Sequence, residues 1–234
     1  MKIVCTIGMR GGSKGVTNKN MRLMHGRPLM AYTIRQAQGS KLFQHIVVST
    51  DSEEISEIAR SFGAEAWFLR PPEMATDLAS KIPAIRHALQ ESERHYGEEF
   101  DVLIDLDVTS PLRLIEDITG AYEQFVNEDA DILITASSSR KNPYFNMVEN
   151  VNGLVQLVKQ PGKSIVRRQD APQVFDMNAS IYIWKRKALL ECDTLLTDRT
   201  SLFVMPEERS VDIDTELDWK IVEYIIGKST GFND

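Results

Sequence analysis

The chain has 234 residues, 42% of them apolar and 26% charged, with a formal net charge of −7, the make-up of a globular protein with room for a substantial core. The acidic balance argues against general binding to nucleic acid or to anionic membranes, and no stretch approaches the roughly 20 apolar residues that span a bilayer. The two cysteines, Cys5 and Cys192, lie far apart; they suggest a reducing compartment and neither a disulfide framework nor a zinc site. With no cleavable leader after Met1, the expected location is the cytoplasm.

Lys2 to Ile7 (KIVCTI) predicts a buried first strand. Gly8 to Asn20 follows, reading GMRGGSKGVTNKN. Gly11, Gly12 and Gly15 let the backbone turn and approach a ligand without a side chain intervening. Arg10, Lys14 and Lys19 add three cations, and amide groups with cations suit a polyphosphate. Taken alone the segment also reads as a solvated basic loop, but its place after a buried strand favours a phosphate site. The Walker spacing fails, with Ser13 where the second glycine belongs, and the dinucleotide pattern is absent.

Further along, Pro28 to Gln38 predicts a helix, His45 to Thr50 a second strand, and Ile55, Ile58, Ala59 and Phe62 a helix closed by Gly63. Ala64 to Leu69 predicts a third strand. This rhythm points to a doubly wound, mostly parallel α/β sheet of Rossmann-like, nucleotidyltransferase type, with ligands beyond the carboxyl ends of its strands. Arg70 to Lys81 (RPPEMATDLASK) then borders the same crevice and leads to a helix carrying Ile82, Ile85 and Leu89. Asp101 to Leu106 is the fourth strand, with Asp107 to Arg113 (DVTSPLR) as its exit loop. A helix through Ile115, Ile118, Tyr122 and Phe125 and a strand over Asp131 to Ala136 follow.

Within one domain spanning 1–234, residues 137–178 interrupt the alternation. Pro143 to Val148 and Leu154 to Lys159 flank Asn150 to Gly153, a predicted hairpin and turn. Asn178 to Ile183 returns as a strand, and Leu202 to Met205 is a short one. In Asp212-Ile213-Asp214 the two carboxylates fall on one side of an extended backbone, as Mg²⁺ beside a polyphosphate requires; alternatively, Asp214 caps the next helix. That helix carries Leu217, Ile221, Tyr224 and Ile225 on one face and stops at Gly227, leaving 229–234 as the one expected disordered end. His25, His45, His87 and His95 show no metal-ligand spacing, and no Gly-x-Ser-x-Gly elbow occurs.

RGGSKG with NKN, RPPEMATDLASK, TSPLR, RRQDAP with NASIYI, and the closing Asp-x-Asp resemble, in order, the acylneuraminate (CMP-sialic acid) cytidylyltransferase family. Within that family the resemblance is to the branch that activates legionaminic acid. It implies CTP and an acidic nine-carbon sugar as substrates, Mg²⁺ as cofactor, and a homodimer in which 137–178 packs on the second subunit and reaches the sugar site. It implies Arg10, Lys14 and Lys19 at the phosphates, Asp212 and Asp214 at the metal, and Gly11, Gly12, Ser13, Asn20, Arg70, Ser80 and Lys81 around the nucleotide. Asp107, Thr109, Ser110, Arg168, Asp176 and Asn178 then face the sugar. Three positions depart from the sialic acid pattern: Lys81 replaces a usual serine, Asp107 a glutamine and Asp176 an arginine. Asp176 and Asn178 are expected on one side of an extended segment, where added acceptors suit the extra acylamido N–H of legionaminic acid. Synthetases for Kdo or pseudaminic acid are the same-fold alternatives. A glycosyltransferase, or a nucleotide-sugar-binding regulator without paired acids, are the alternatives of other classes.

Overall fold

A computed structural model describes residues 1–12, 15–160, 162 and 165–228. Its first half runs β1 (Ile3–Gly8), β2 (Leu23–Met24), β3 (Arg27–Pro28), α1 (Leu29–Ser40), β4 (His45–Ser49), α2 (Glu53–Ser61), α3 (Lys81–Tyr96) and β5 (Val102–Leu106). The second half runs α4 (Ile115–Asn127), β6 (Ile132–Ser138), β7 (Val148–Val151), β8 (Leu154–Leu157), β9 (Phe175–Lys185), α5 (Arg186–Glu191), β10 (Thr200–Val204) and α6 (Glu216–Lys228).

Six strands form one sheet in the order β10-β6-β9-β5-β1-β4. β1 lies parallel to both β4 and β5, and β10 parallel to β6, while β9 is antiparallel to β5 and β6. The sheet is therefore mostly parallel, as expected. β1 alternates cleanly: Ile3, Cys5 and Ile7 pack with residues of α1, α4 and α6, whereas Val4 packs with those of α3 and α5. β5 continues the two layers, with Ile104 on the first side and Leu103 on the second. The chain leaves β1 toward β4 and later returns to β5 on the other flank. The carboxyl ends of β1 and β5 thus bracket the switch point where ligands of such sheets bind.

Four sequence expectations are corrected. Residues 64–69 form no strand, only one bridge between Val47 and Glu65, because Trp67 stacks on His95 and Phe68 meets His87 edge-on, both rings belonging to α3. The first hairpin arm starts at Val148 and not at Pro143: the Asn142 side chain and carbonyl take the amides of Tyr144, Phe145, Asn146 and Met147 into a turn. The hairpin turn itself is Asn152-Gly153, both at positive φ (53° and 86°), which suits the right-handed twist of its arms. Finally, α6 buries Trp219, Val222 and Ile226 and leaves Leu217, Ile221 and Tyr224 exposed. It runs through Gly227, which is glycine because a Cβ there would stand 2.8 Å from His25 Cε1.

Candidate active site

The glycine loop leaves β1 and crosses the carboxyl edge of the sheet. Gly11 N donates to the Asp51 carboxylate (2.8 Å) beyond β4, and Asn20, 7% exposed, donates from Nδ2 to the Arg10 carbonyl (3.0 Å). Gly15 is pressed against the acid segment: a Cβ built on it would overlap the carbonyl oxygen of Asp214. Lys19 completes that junction by donating to the Ile213 carbonyl and lying 3.7 Å from the Asp214 carboxylate. Sequence-distant motifs thus meet at one seam. Ser13 and Lys14 lie outside the described residues.

A cavity of about 380 Å³ opens over this seam, lined among others by Arg10, Lys19, Asn20, Arg70, Ser80, Lys81, Asp107, Thr109 and Asp214. Arg70 holds its guanidinium on Ser49 (2.7 Å to the carbonyl, 3.1 Å to the hydroxyl), and burial lowers its pKa. Arg10 spans the mouth to Asp77 (2.6 Å). Ser80 precedes α3 without spending its hydroxyl on a cap.

The far wall is a chain of contacts. Asp107 accepts from Lys81 Nζ at 2.9 Å on one oxygen and from Thr109 N and Oγ1 at 3.0 and 2.9 Å on the other. Thr109 in turn accepts the Ile213 amide on its carbonyl (2.9 Å). Burial pushes Asp107 up, yet the Lys81 ammonium outweighs this and brings the carboxyl down to about 2. Asp212 goes the other way: burial, with Asp107 and Asp214 nearby, raises its pKa against the opposing influence of the Thr109 hydroxyl and the charge of Lys19. Its Oδ1 is buried without a hydrogen-bond partner among the described residues. An orphaned carboxylate oxygen two residues from Asp214 fits a hard cation. The capping alternative for Asp214 falls to Thr215 and Asp218: Asp218 accepts from Thr215 N (2.8 Å) and Thr215 Oγ1 accepts from Asp218 N (3.3 Å).

A cytidylyltransferase family model matches residues 4–221. The chain belongs to the cytidylyltransferase family. It is 50% identical over 225 residues to post-translational flagellin modification protein B of Campylobacter coli, covering 96% of this chain and 95% of that one. It is 52% identical over 225 residues, with the same coverage, to a CMP-N,N'-diacetyllegionaminic acid synthase of Campylobacter jejuni. A solved CMP:2-keto-3-deoxy-manno-octonic acid synthetase complexed with CTP superposes with a TM-score of 0.70 at 15% identity, covering 97% and 99% of the two chains, which shows a shared fold.

In this cytidylyltransferase the residues expected at the sugar do not all reach the cavity. Ser110 is buried and points its hydroxyl at the Asn178 carbonyl (3.4 Å). Asn178, 6% exposed, spends its amide on Thr135 (2.7 Å) and Ser210 (2.9 Å). Asp176, two residues earlier, is exposed; Ala179 at φ 53° and the register shift opposite Ala136 break the regular extended run between them and the rest of β9. Arg168 donates to the Ser139 carbonyl (2.8 Å) and lines a separate cavity with Ser138, Asn142 and Gln173. Arg113 of TSPLR is fully buried: it donates to the carbonyls of Ser180 (2.6 Å) and Asp107 and to the Gln36 amide oxygen (3.0 Å), holding the loop from beneath.

Sequence reasoning missed Asp105 and Asp77. Asp105, 1% exposed in β5, accepts from Thr6 Oγ1 (2.7 Å) and faces Lys81 Nζ at 3.0 Å. The signal available was one acid inside the apolar run DVLIDL. Asp77, the partner of Arg10, carries no such mark.

Proposed function

We propose that the protein transfers the cytidylyl group of CTP to a nonulosonic acid, legionaminic acid or an N-acylated form of it, giving the CMP-sugar and pyrophosphate. The observation that carries the sugar is the 52% identity, across nearly both chains, to a CMP-N,N'-diacetyllegionaminic acid synthase. What supports the nucleotide is a cavity at the sheet's switch point with Arg10, Lys19, Arg70 and Lys81 around it.

The oxygen of the sugar's anomeric hydroxyl bonds to the α-phosphorus, the bond from that phosphorus to pyrophosphate breaks, and the hydroxyl proton is lost. Such a transfer depends on positioning and on neutralising phosphoryl charge. Arg10, Lys14 and Lys19 serve the phosphates, and Arg10 leaves Asp77 to do so. Gly11, Gly12, Ser13, Asn20, Arg70 and Ser80 hold the nucleotide. Asp212 and Asp214 would hold Mg²⁺, which when bound supplies charge neutralisation at the phosphates and acidifies the attacking hydroxyl. Thr109 and Asp107 line the cavity beside the sugar, Asp107 with both oxygens engaged by Lys81 and Thr109, and Ser110 and Asn178 shape the wall behind them.

Arg168 and Asp176 belong to the sugar side through a second subunit. Exposed apolar side chains on both faces of the β7–β8 hairpin, with Val148 and Val155 at 62% and 70% exposure on one and Leu154 at 74% on the other, support a homodimer there. No helix among the described residues is long and apolar enough to cross a membrane; free Cys5 and Cys192 support a cytoplasmic setting. The test is product analysis by mass spectrometry after incubation with CTP, Mg²⁺ and legionaminic acid. CMP-legionaminic acid is expected, and unchanged sugar would refute the proposal.

A further inference from the structure

β5 is apolar and buried at Val102, Leu103, Ile104 and Leu106, yet places Asp105 on the layer packed under α3. A carboxylate buried there costs folding free energy unless it is paired and hydrogen-bonded. One oxygen accepts from Thr6 Oγ1; the other receives no aligned hydrogen bond among the described residues and has the Lys81 ammonium at 3.0 Å as its partner. Lys81 is the first residue of α3, where the helix dipole disfavours a cation. Helix formation therefore does not explain Lys81, and the strand's core does not explain Asp105.

Each explains the other, and the place they meet is the cavity wall. The Lys81 side chain is 38% exposed, lines the cavity, and sits over the Tyr182 ring at 4.6 Å. Of its three donors, one is spent on Asp107, while the ammonium charge also faces Asp105. Asp107 is itself fixed by Thr109, so the ammonium is held from two sides at the seam between nucleotide loop and acid pair.

We propose that Asp105 is a positioning residue that acts through Lys81, fixing its ammonium to donate to a phosphate oxygen of the bound triphosphate. This rests on the cytidylyltransferase reading above. It assigns one purpose to a buried acid and to the lysine that stands in for a serine.

The experiment is a double-mutant cycle on Asp105→Asn and Lys81→Met, with kcat, KM for each substrate, and calorimetric binding of inorganic pyrophosphate measured in parallel. Loss of one preorganised donor lowers kcat by about 100-fold, so each single variant is expected to fall by that order with sugar KM within about threefold. In the Lys81→Met background, Asp105→Asn is expected to add nothing. Thr6→Val, which removes only the hydrogen bond to Asp105, is the variant to use if Asp105→Asn does not fold; it is expected to lower kcat about 5-fold, but not when Lys81 is already Met. Folded variants with kcat within threefold of the parent, or multiplicative losses in the cycle, overturn the inference while leaving the cytidylyltransferase reading intact. If the parent itself shows no turnover, that reading fails. Pyrophosphate binding then decides the inference: at least tenfold weakening in Asp105→Asn and in Lys81→Met upholds it, and unchanged binding overturns it.

Discussion

Gly15 lies against the main-chain carbonyl of Asp214, leaving no room for a Cβ between them. This contact sets the distance between the glycine loop and the acid segment. Gly15→Ala forces the two apart, at a cost of roughly 1–3 kcal/mol for overpacking. A shift near 1 Å at a transfer site costs about 100-fold in rate, so kcat is expected to fall by that order with a modest drop in Tm. Steady-state kinetics and a thermal melt check it; a normal kcat would mean that the seam does not set the reacting geometry.

The acid pair separates catalysis from stability. Asp212→Asn and Asp214→Asn are each expected to remove most turnover, and EDTA to do the same to the parent protein. Because Asp212 Oδ1 is buried without a hydrogen-bond partner among the described residues and the carboxyl has a raised pKa, Asp212→Asn should leave Tm at neutral pH unchanged or higher. A double Asn variant with near-normal activity would sink the metal assignment.

Asp107 gives a pH signature. Its carboxyl, 20% exposed, ionises at about 2 in the folded chain against 3.8 for the ordinary group. The folded state therefore releases this proton more readily than the unfolded one, so the associated stability is complete above about pH 4 and drains as the pH falls toward 2. The shift corresponds to on the order of 2 kcal/mol. Urea unfolding of the parent and of Asp107→Asn should show a gap that is full at pH 6 and has lost roughly half by pH 3. A gap independent of pH would contradict the Lys81–Asp107 pairing.

Arg113 should matter for folding before chemistry. Its guanidinium supplies the Ser180 and Asp107 carbonyls and Gln36 from beneath the loop. Leaving such buried acceptors unmet costs about 1–3 kcal/mol each, so Arg113→Met is expected to lower unfolding free energy by roughly 3 kcal/mol. Arg113→Lys should not rescue it, because a point charge cannot reproduce the planar fork. Full stability in either variant, by urea titration, would refute this role.

Much of this was legible in the sequence because its signals are local. The glycine loop announces itself by four glycines and three cations in thirteen residues, and the strand–helix rhythm by apolar period. What stayed hidden depends on partners far along the chain. Asp105 looks like an interruption in DVLIDL until Lys81, 24 positions earlier, is seen beside it. Residues 64–69 have strand composition, but α3 claims their aromatic rings. Two apolar stripes exist on α6, and only packing into the larger core cluster chooses Trp219, Val222 and Ile226 over Leu217, Ile221 and Tyr224. Asp107 read as a free acceptor for sugar, whereas Lys81 and Thr109 already occupy both its oxygens.

The central claim is tested most directly by pyrophosphate release with CTP and Mg²⁺ across legionaminic, pseudaminic, N-acetylneuraminic and Kdo acids. Release with legionaminic acid is expected at a kcat/KM at least roughly tenfold above that for N-acetylneuraminic acid, a difference of about 1.4 kcal/mol. Equal use of those two sugars would contradict the sugar assignment, and no release with any of the four would contradict the account as a whole.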